Sequence, residues 1–184
     1  MASVAAALAA GAPLATAALS SSAPPRGVTV GCAKRSEADF PRAFADPHNL
    51  VVGPLVLVGA GAYTPASVVR QFGGNKFPLL VKAGHRVTVR LPRAVGRSAG
   101  LAYAGVGRRP LPGGEVKLRD TTRAMTFVAC REGGPSGSRA GAEPVTFWSG
   151  FVLTSAPRCL PLAVYVDGDP SARHARIALG RRCT

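Results

Sequence analysis

The sequence predicts an all-β protein, an antiparallel β-sandwich of immunoglobulin-like build with one short helix near residues 65–72. Three observations carry that expectation. Apolar and polar residues alternate at period two along most of the chain, as they do on half-buried strands. The 22 glycines and 16 prolines cluster between those runs, which suits many tight turns and argues against long helices. Four widely spaced cysteines read as a disulfide framework stapling one small domain. At 184 residues the chain is long enough to bury a sizeable core and short for two domains.

Taken in order, residues 1–23 read as a secretory signal peptide with a flexible mature start, leaving 24–184 as a single disulfide-stapled β domain. The run from Val4 to Leu19 is apolar, rich in small residues and broken by Gly11 and Pro13, and Ala15-Thr16-Ala17 supplies a cleavage site. A basic start is missing, and the competing readings are an uncleaved anchor and a disordered extension. Cys32 is no lipid-anchor site, because Thr29 stands where an aliphatic residue belongs.

"LVLVGAGAYTPASVV", Leu55 to Val69, starts as a short apolar strand and runs into Gly-x-Gly and a helix. Thr64 is the expected N-cap, Pro65 the first helical residue, and Gly73-Gly74 the stop. A dinucleotide fingerprint needs a third Gly or Ala, where Thr64 stands, and an acidic residue about twenty positions on. No Asp or Glu occurs between Asp46 and Glu115, so the motif reads as a turn, with no nucleotide and no cofactor expected.

Beyond the helix, "HRVTVRL" sets Val87, Val89 and Leu91 against Arg86, Thr88 and Arg90. "EVKLRD" turns Val116 and Leu118 inward, and "MTFVAC" turns in Met125, Phe127 and Ala129. Gly133 to Glu143 reads as a flexible loop. "VTFWSGFVL" reads as a strand with Val145, Phe147, Phe151 and Leu153 on one face, Trp148 and Val152 on the other. "PLAVYVDGD" turns in Leu162, Val164 and Val166 and ends in a hairpin turn, and "HARIALG" closes the series.

The four cysteines allow three connectivities. The strand-like runs ending at Cys130 and preceding Cys159 favour Cys130–Cys159, with Cys32–Cys183 tying the ends of the chain. His48, His85 and His174 are scattered and no C-x-x-C occurs, so no metal site is expected. Asp167 and Asp169 supply too few oxygens for calcium. Ser149 lacks the glycine of a nucleophile elbow, and a triad of Ser149, His85 and Asp120 is a combination any chain with three histidines offers, so no catalytic residue is assigned.

The net charge is +14, from 23 basic and 9 acidic residues. Between Pro47 and Gly114 nine residues are basic and none is acidic. Lys82, Arg86, Arg90, Arg93, Arg97, Arg108 and Arg109 form the candidate anion-binding face, with a solvated face as the plain alternative. The expected partner is an anionic cell-wall polymer or lipid. Few aromatics interleave the cations and no recognition helix is present, which disfavours nucleic acid.

From Asn49 onward, "NLVVGPLVLVGAG", "FGGNKFPLLVKAGHRVTV", "VTFWSGFVL" with "PRCLPLAVYVDG", and the terminal "LGRRC" together resemble a group of small secreted actinobacterial proteins for which no function is established. The resemblance covers most of residues 49–183 and implies an exported, disulfide-bonded β domain with no implied activity. The functional expectation is a secreted or extracytoplasmic, non-catalytic module at the cell envelope. Its alternatives are a secreted hydrolase using Ser149 and a secreted protease inhibitor.

Overall fold

The structure, a computed structural model, describes residues 27–104, 116–131 and 138–184. The expected signal peptide up to residue 23, Arg108 and Arg109, and residues 133–137 of the expected loop lie outside the described residues. The described chain is all-β, with three sheets and one α-helix. It begins with β1 (Val28–Val30), β2 (Leu50–Val52) and β3 (Leu55–Leu57), followed by the helix α1 (Ala66–Phe72). Next come β4 (Gly74–Lys76), β5 (Leu79–Lys82), β6 (Arg86–Arg90) and β7 (Ala99–Tyr103). The remainder is β8 (Ala124–Val128), β9 (Arg139–Ala140), β10 (Glu143–Trp148), β11 (Gly150–Thr154), β12 (Arg158–Val166) and β13 (Arg173–Leu179).

One five-stranded sheet runs β1-β8-β6-β12-β13, a second runs β2-β3-β5-β10-β9, and β4-β11-β7 form a third. All pairings are antiparallel except one: β1 lies parallel to β8, Val30 opposite Phe127, which corrects the expectation of a wholly antiparallel arrangement. Period-two alternation holds in the first sheet, where Val87, Val89, Met125, Phe127, Leu160, Leu162, Val164, Ile177 and Leu179 are buried. In the second sheet, Leu55-Val56-Leu57 and Leu79-Leu80-Val81 are buried without a break, the pattern of strands covered on both faces. Leu55, Leu57, Leu79, Val81 and Trp148 join the main core, which also takes in the first sheet and Leu101, Tyr103 and Val152 of the third. The opposite face, with Val56, Leu80, Val145 and Phe147, is covered by Phe40, Ala43 and Phe44. Burying such a side chain contributes about 1.5–3 kcal/mol. Phe127 touches the rings of Tyr103 and Trp148 at 5.5 and 5.2 Å, adding about 0.5–1.5 kcal/mol per pair.

Four local expectations are corrected. "VTFWSGFVL" is two strands: β10 pairs with β5 and β9, while β11 pairs with β4 and β7, and the chain changes sheet at Ser149. Trp148 and Val152 enter the main core and Val145 and Phe147 the second cluster, as read, whereas Phe151 and Leu153, expected on the face of Val145 and Phe147, belong to neither cluster. "EVKLRD" is no strand in its described part; Leu118–Asp120 forms a 3-10 turn and Val116 and Leu118 are only half-buried. Within the expected flexible loop, β9 forms a short hairpin with the start of β10. Thr64 does not cap α1. Pro65 takes the N-cap position, whereas Thr64 is buried and bridges Leu179, receiving a hydrogen bond from Asn75 at its hydroxyl.

The disulfide pairing is also corrected: the bonds are Cys32–Cys130 and Cys159–Cys183, which include all four cysteines. The parallel register of β1 with β8 carries Cys32, two residues past Val30, alongside Cys130, three past Phe127. Cys159 faces Ala178 across β12 and β13, and the tail after Gly180 returns to place Cys183 over it.

The Gly-x-Gly segment is a turn leading from β3 towards α1, and β3 pairs antiparallel with both β2 and β5. Gly59 has φ +76°, and its N–H donates to the Asn49 side chain at 2.7 Å. A Cβ on Gly61 would sit 2.7 Å from the Asn49 carbonyl oxygen, so close backbone approach explains that glycine.

Candidate anion-binding face

The face is built on β6, a central strand of the first sheet. Val87 and Val89 point into the core, so Arg86, Thr88 and Arg90 point out of it. Register then fixes their neighbours. Thr88 lies between Thr126 of β8 and Tyr165 of β12, with the two threonine hydroxyls hydrogen-bonded at 2.8 Å. Arg90 lies beside Ala163, which faces His174 of β13, and two residues along Pro161 faces Arg176. His174 and Arg176 are exposed and were missed by sequence reasoning. The alternation of "HARIALG" marks them as outward, but their nearness to Arg90 depends on the strand order β6-β12-β13, which no linear pattern displays.

No carboxylate among the described residues forms an ion pair with Arg86 or Arg90. Arg176 donates to the Thr184 carbonyl oxygen. Arg93 and Arg97 are exposed in the loop after β6, around a 3-10 turn at Arg93–Val95, and likewise have no acidic partner among the described residues. Lys82 does not extend the face. It ends β5 in the second sheet, pairs with Glu143 at 3.3 Å and lies over the Phe44 ring at 4.8 Å, so its charge is already engaged.

At one end of the sheet the hairpin after β12 returns through Asp167 and Gly168, with φ +52° and +84° and a hydrogen bond from Asp169 N–H to the Val166 carbonyl oxygen, as the turn reading of "VDGDP" required. The Asp167 carboxylate accepts the Arg86 N–H at 2.8 Å and meets His85 Nδ1 at 2.7 Å. The backbone bond from Arg86 is the main cause holding the Asp167 carboxyl below its usual range; burial opposes it, and the His85 bond and charge add to the lowering. Burial alone pushes the Tyr103 phenol well up, and its hydroxyl donates to the Phe77 carbonyl oxygen.

The residues of the Ser149 triad are not brought together. Trp148 pairs with Leu79 and Val145 with Lys82, so Ser149 and His85 lie beyond opposite ends of the β5–β10 pair, at least about 13 Å apart along the strands. His85 is partnered by Asp167, and Asp120 ends the 3-10 turn after Lys117. Among the described residues no group of three His, Cys, Asp or Glu side chains is placed to hold a metal ion, and no helix is long and apolar enough to cross a membrane. No protein-family model, curated protein or solved structure matches the chain.

Proposed function

We propose that this chain is an exported, non-catalytic module of the cell envelope that contacts an anionic wall polymer through the outer face of its first sheet. The observation that carries this reading is the pair Arg86 and Arg90, set on the same face of one central strand without a carboxylate partner among the described residues. Four residues of strand separate them by about 13 Å, and Arg90 lies about 10 Å from His174 across two strand spacings. The Arg86–Arg90 distance exceeds the Debye length of about 8 Å at physiological salt, so the two cations act as separate contacts. A polymer with repeated anions satisfies separate contacts; one small anion does not.

The face presents Thr88, Thr126, Ala163 and Tyr165 between its cations, whereas of the exposed large apolar residues Tyr63, Phe72 and Val51 lie outside the first sheet and Val28, on its edge strand, is in register with the core-facing Met125. That favours a polymer over a bilayer. The two disulfides support an oxidising compartment, in keeping with the secreted actinobacterial group the sequence resembles. A core cluster shared by both five-stranded sheets supports an immunoglobulin-like sandwich as the architecture.

The test is co-sedimentation of the intact protein with a glycerol-phosphate wall polymer and, separately, with phosphatidylglycerol vesicles. On the counterion-release scale for a flexible polyanion, four contacts weaken binding about 50-fold between 50 and 200 mM salt. Arg86→Glu/Arg90→Glu is expected to bind at least tenfold less. Polymer binding that ignores salt and this double substitution would sink the reading, and binding to vesicles alone would replace the polymer with a lipid surface.

A further inference from the structure

We infer that a discrete phosphate-binding site lies at the end of the first sheet opposite the Asp167 hairpin, built on Arg158, Ser98, Arg97 and Arg181. The inference rests on the polyanion reading above and gives it a specific subsite and ligand group. β12 runs nine residues, about 26 Å from Arg158 to Val166, so Asp167 and Asp169 stand at one end of the sheet and Arg158 at the other.

Arg158 is a held arginine, not a waving one. It is half-buried, and its Nη1 donates to Ser98 Oγ at 2.6 Å. Ser98 Oγ in turn donates to the Val95 carbonyl oxygen, and Ser155 N–H donates to the Ser98 carbonyl oxygen, so the loop carrying Arg93 and Arg97 is tied to the start of β12. With Nη1 occupied, the remaining donor edge of the guanidinium is the Nε–Nη2 side. Nε is buried and has no acceptor among the described residues. A buried donor without an acceptor is costly, and the side-on edge of a guanidinium matches two oxygens of a tetrahedral oxyanion.

The surroundings select for charge. Arg97 adjoins Ser98, and Arg181 adjoins Gly180, which bridges the Arg158 backbone. None of Arg93, Arg97, Arg158 and Arg181 is ion-paired among the described residues. The positive charge that Arg93, Arg97 and Arg181 bring to the segments tied to Arg158 favours a phosphate over a singly charged carboxylate, whether the phosphate is a polymer link, a lipid headgroup or free.

The experiment titrates inorganic phosphate into the full-length, oxidised, 15N-labelled protein, with chloride holding the ionic strength constant. The amides of Arg97, Ser98 and Arg158 are expected to shift with saturation. Ser98→Ala and Arg158→Lys should each weaken that binding at least tenfold, and Arg86→Glu/Arg90→Glu should change it less than twofold. A shift that never saturates, or one unchanged in both Ser98→Ala and Arg158→Lys, overturns the site. Glycerol-phosphate polymer and phosphatidylglycerol vesicles replace phosphate in two further arms, and the one that moves the same amides identifies the source. Polymer binding that leaves these amides still overturns the site while the polyanion reading stands. Phosphate held at Arg158 with no polymer binding does the reverse.

Discussion

Asp167 connects two turns through one carboxylate, and the connection is charge-dependent. Its folded-state acidity is raised chiefly by the Arg86 N–H, so the carboxylate stabilises the fold above the ordinary value of 3.8 and loses that contribution as pH falls through its lowered pKa. Asn tolerates the left-handed conformation at this position as Asp does, so Asp167→Asn removes the charge and leaves the turn. The side chain is about half exposed, which places the expected loss at the low end of roughly 0.5–1.5 kcal/mol at neutral pH. Urea unfolding of wild type and variant should show this gap narrowing as pH drops from 4 towards 2. A gap independent of pH would assign the effect to packing. Gly150 is the opposite kind of residue, with no charge and no freedom. A Cβ there would lie 2.1 Å from Tyr103 Cδ1 and 2.6 Å from the Ala102 carbonyl oxygen, and Tyr103 is pinned by its bond to Phe77. Gly150→Ala is therefore expected to lower stability by about 1–3 kcal/mol in the same urea assay, and a neutral result would show that the ring yields. At this scale the sequence was readable where neighbours are local. The turn at Asp167 could be read from "VDGDP", but its tie to His85 could not, because 82 residues separate them.

Among elements, strand identity was more legible than strand partnership. Alternation in Arg86–Arg90 and Ala124–Val128 assigned the buried side chains correctly because one face meets the core and the other does not. The parallel neighbour of β8 left no local mark, and that one pairing decides the disulfides. Digestion without reduction is expected to release peptides linking Cys32 to Cys130 and Cys159 to Cys183; a Cys130–Cys159 link would refute the parallel register. The two bonds differ in reach, with sequence separations of 98 and 24. Chain entropy then predicts losses of about 4.7 kcal/mol for the longer loop and about 3.5 for the shorter when each pair is replaced by alanine. Thermal unfolding of the two double variants should preserve that order. The reverse order would indicate that the C-terminal tail contributes native contacts beyond the loop it closes.

The whole molecule is organised by a strand order that interleaves distant segments, and this explains both what the sequence hid and how the protein should unfold. Arg86 and Arg90 were visible on one strand, but Lys82, four residues earlier, belongs to another sheet, and His174 joins Arg90 only across β12. The same interleaving draws the main core from all three sheets: Phe127 from the first, Trp148 from the second, Tyr103 from the third. Those three rings contact in sequence, so no sheet can lose its packing while the others keep theirs. Trp148 is the sole tryptophan and is fully buried, which makes its fluorescence a reporter of that junction. With both disulfides intact, its fluorescence and the far-ultraviolet circular dichroism of the strands should follow one denaturant transition with the same midpoint and slope. Fluorescence changing at lower denaturant than the dichroism would mean that the sheets survive as separate units. The cationic face on the first sheet would then stand on a scaffold independent of Trp148, and substitutions at the ring junction would leave polymer binding intact. A single transition instead ties the two together, so that Gly150→Ala, at the far side of the core, weakens binding only by unfolding the molecule.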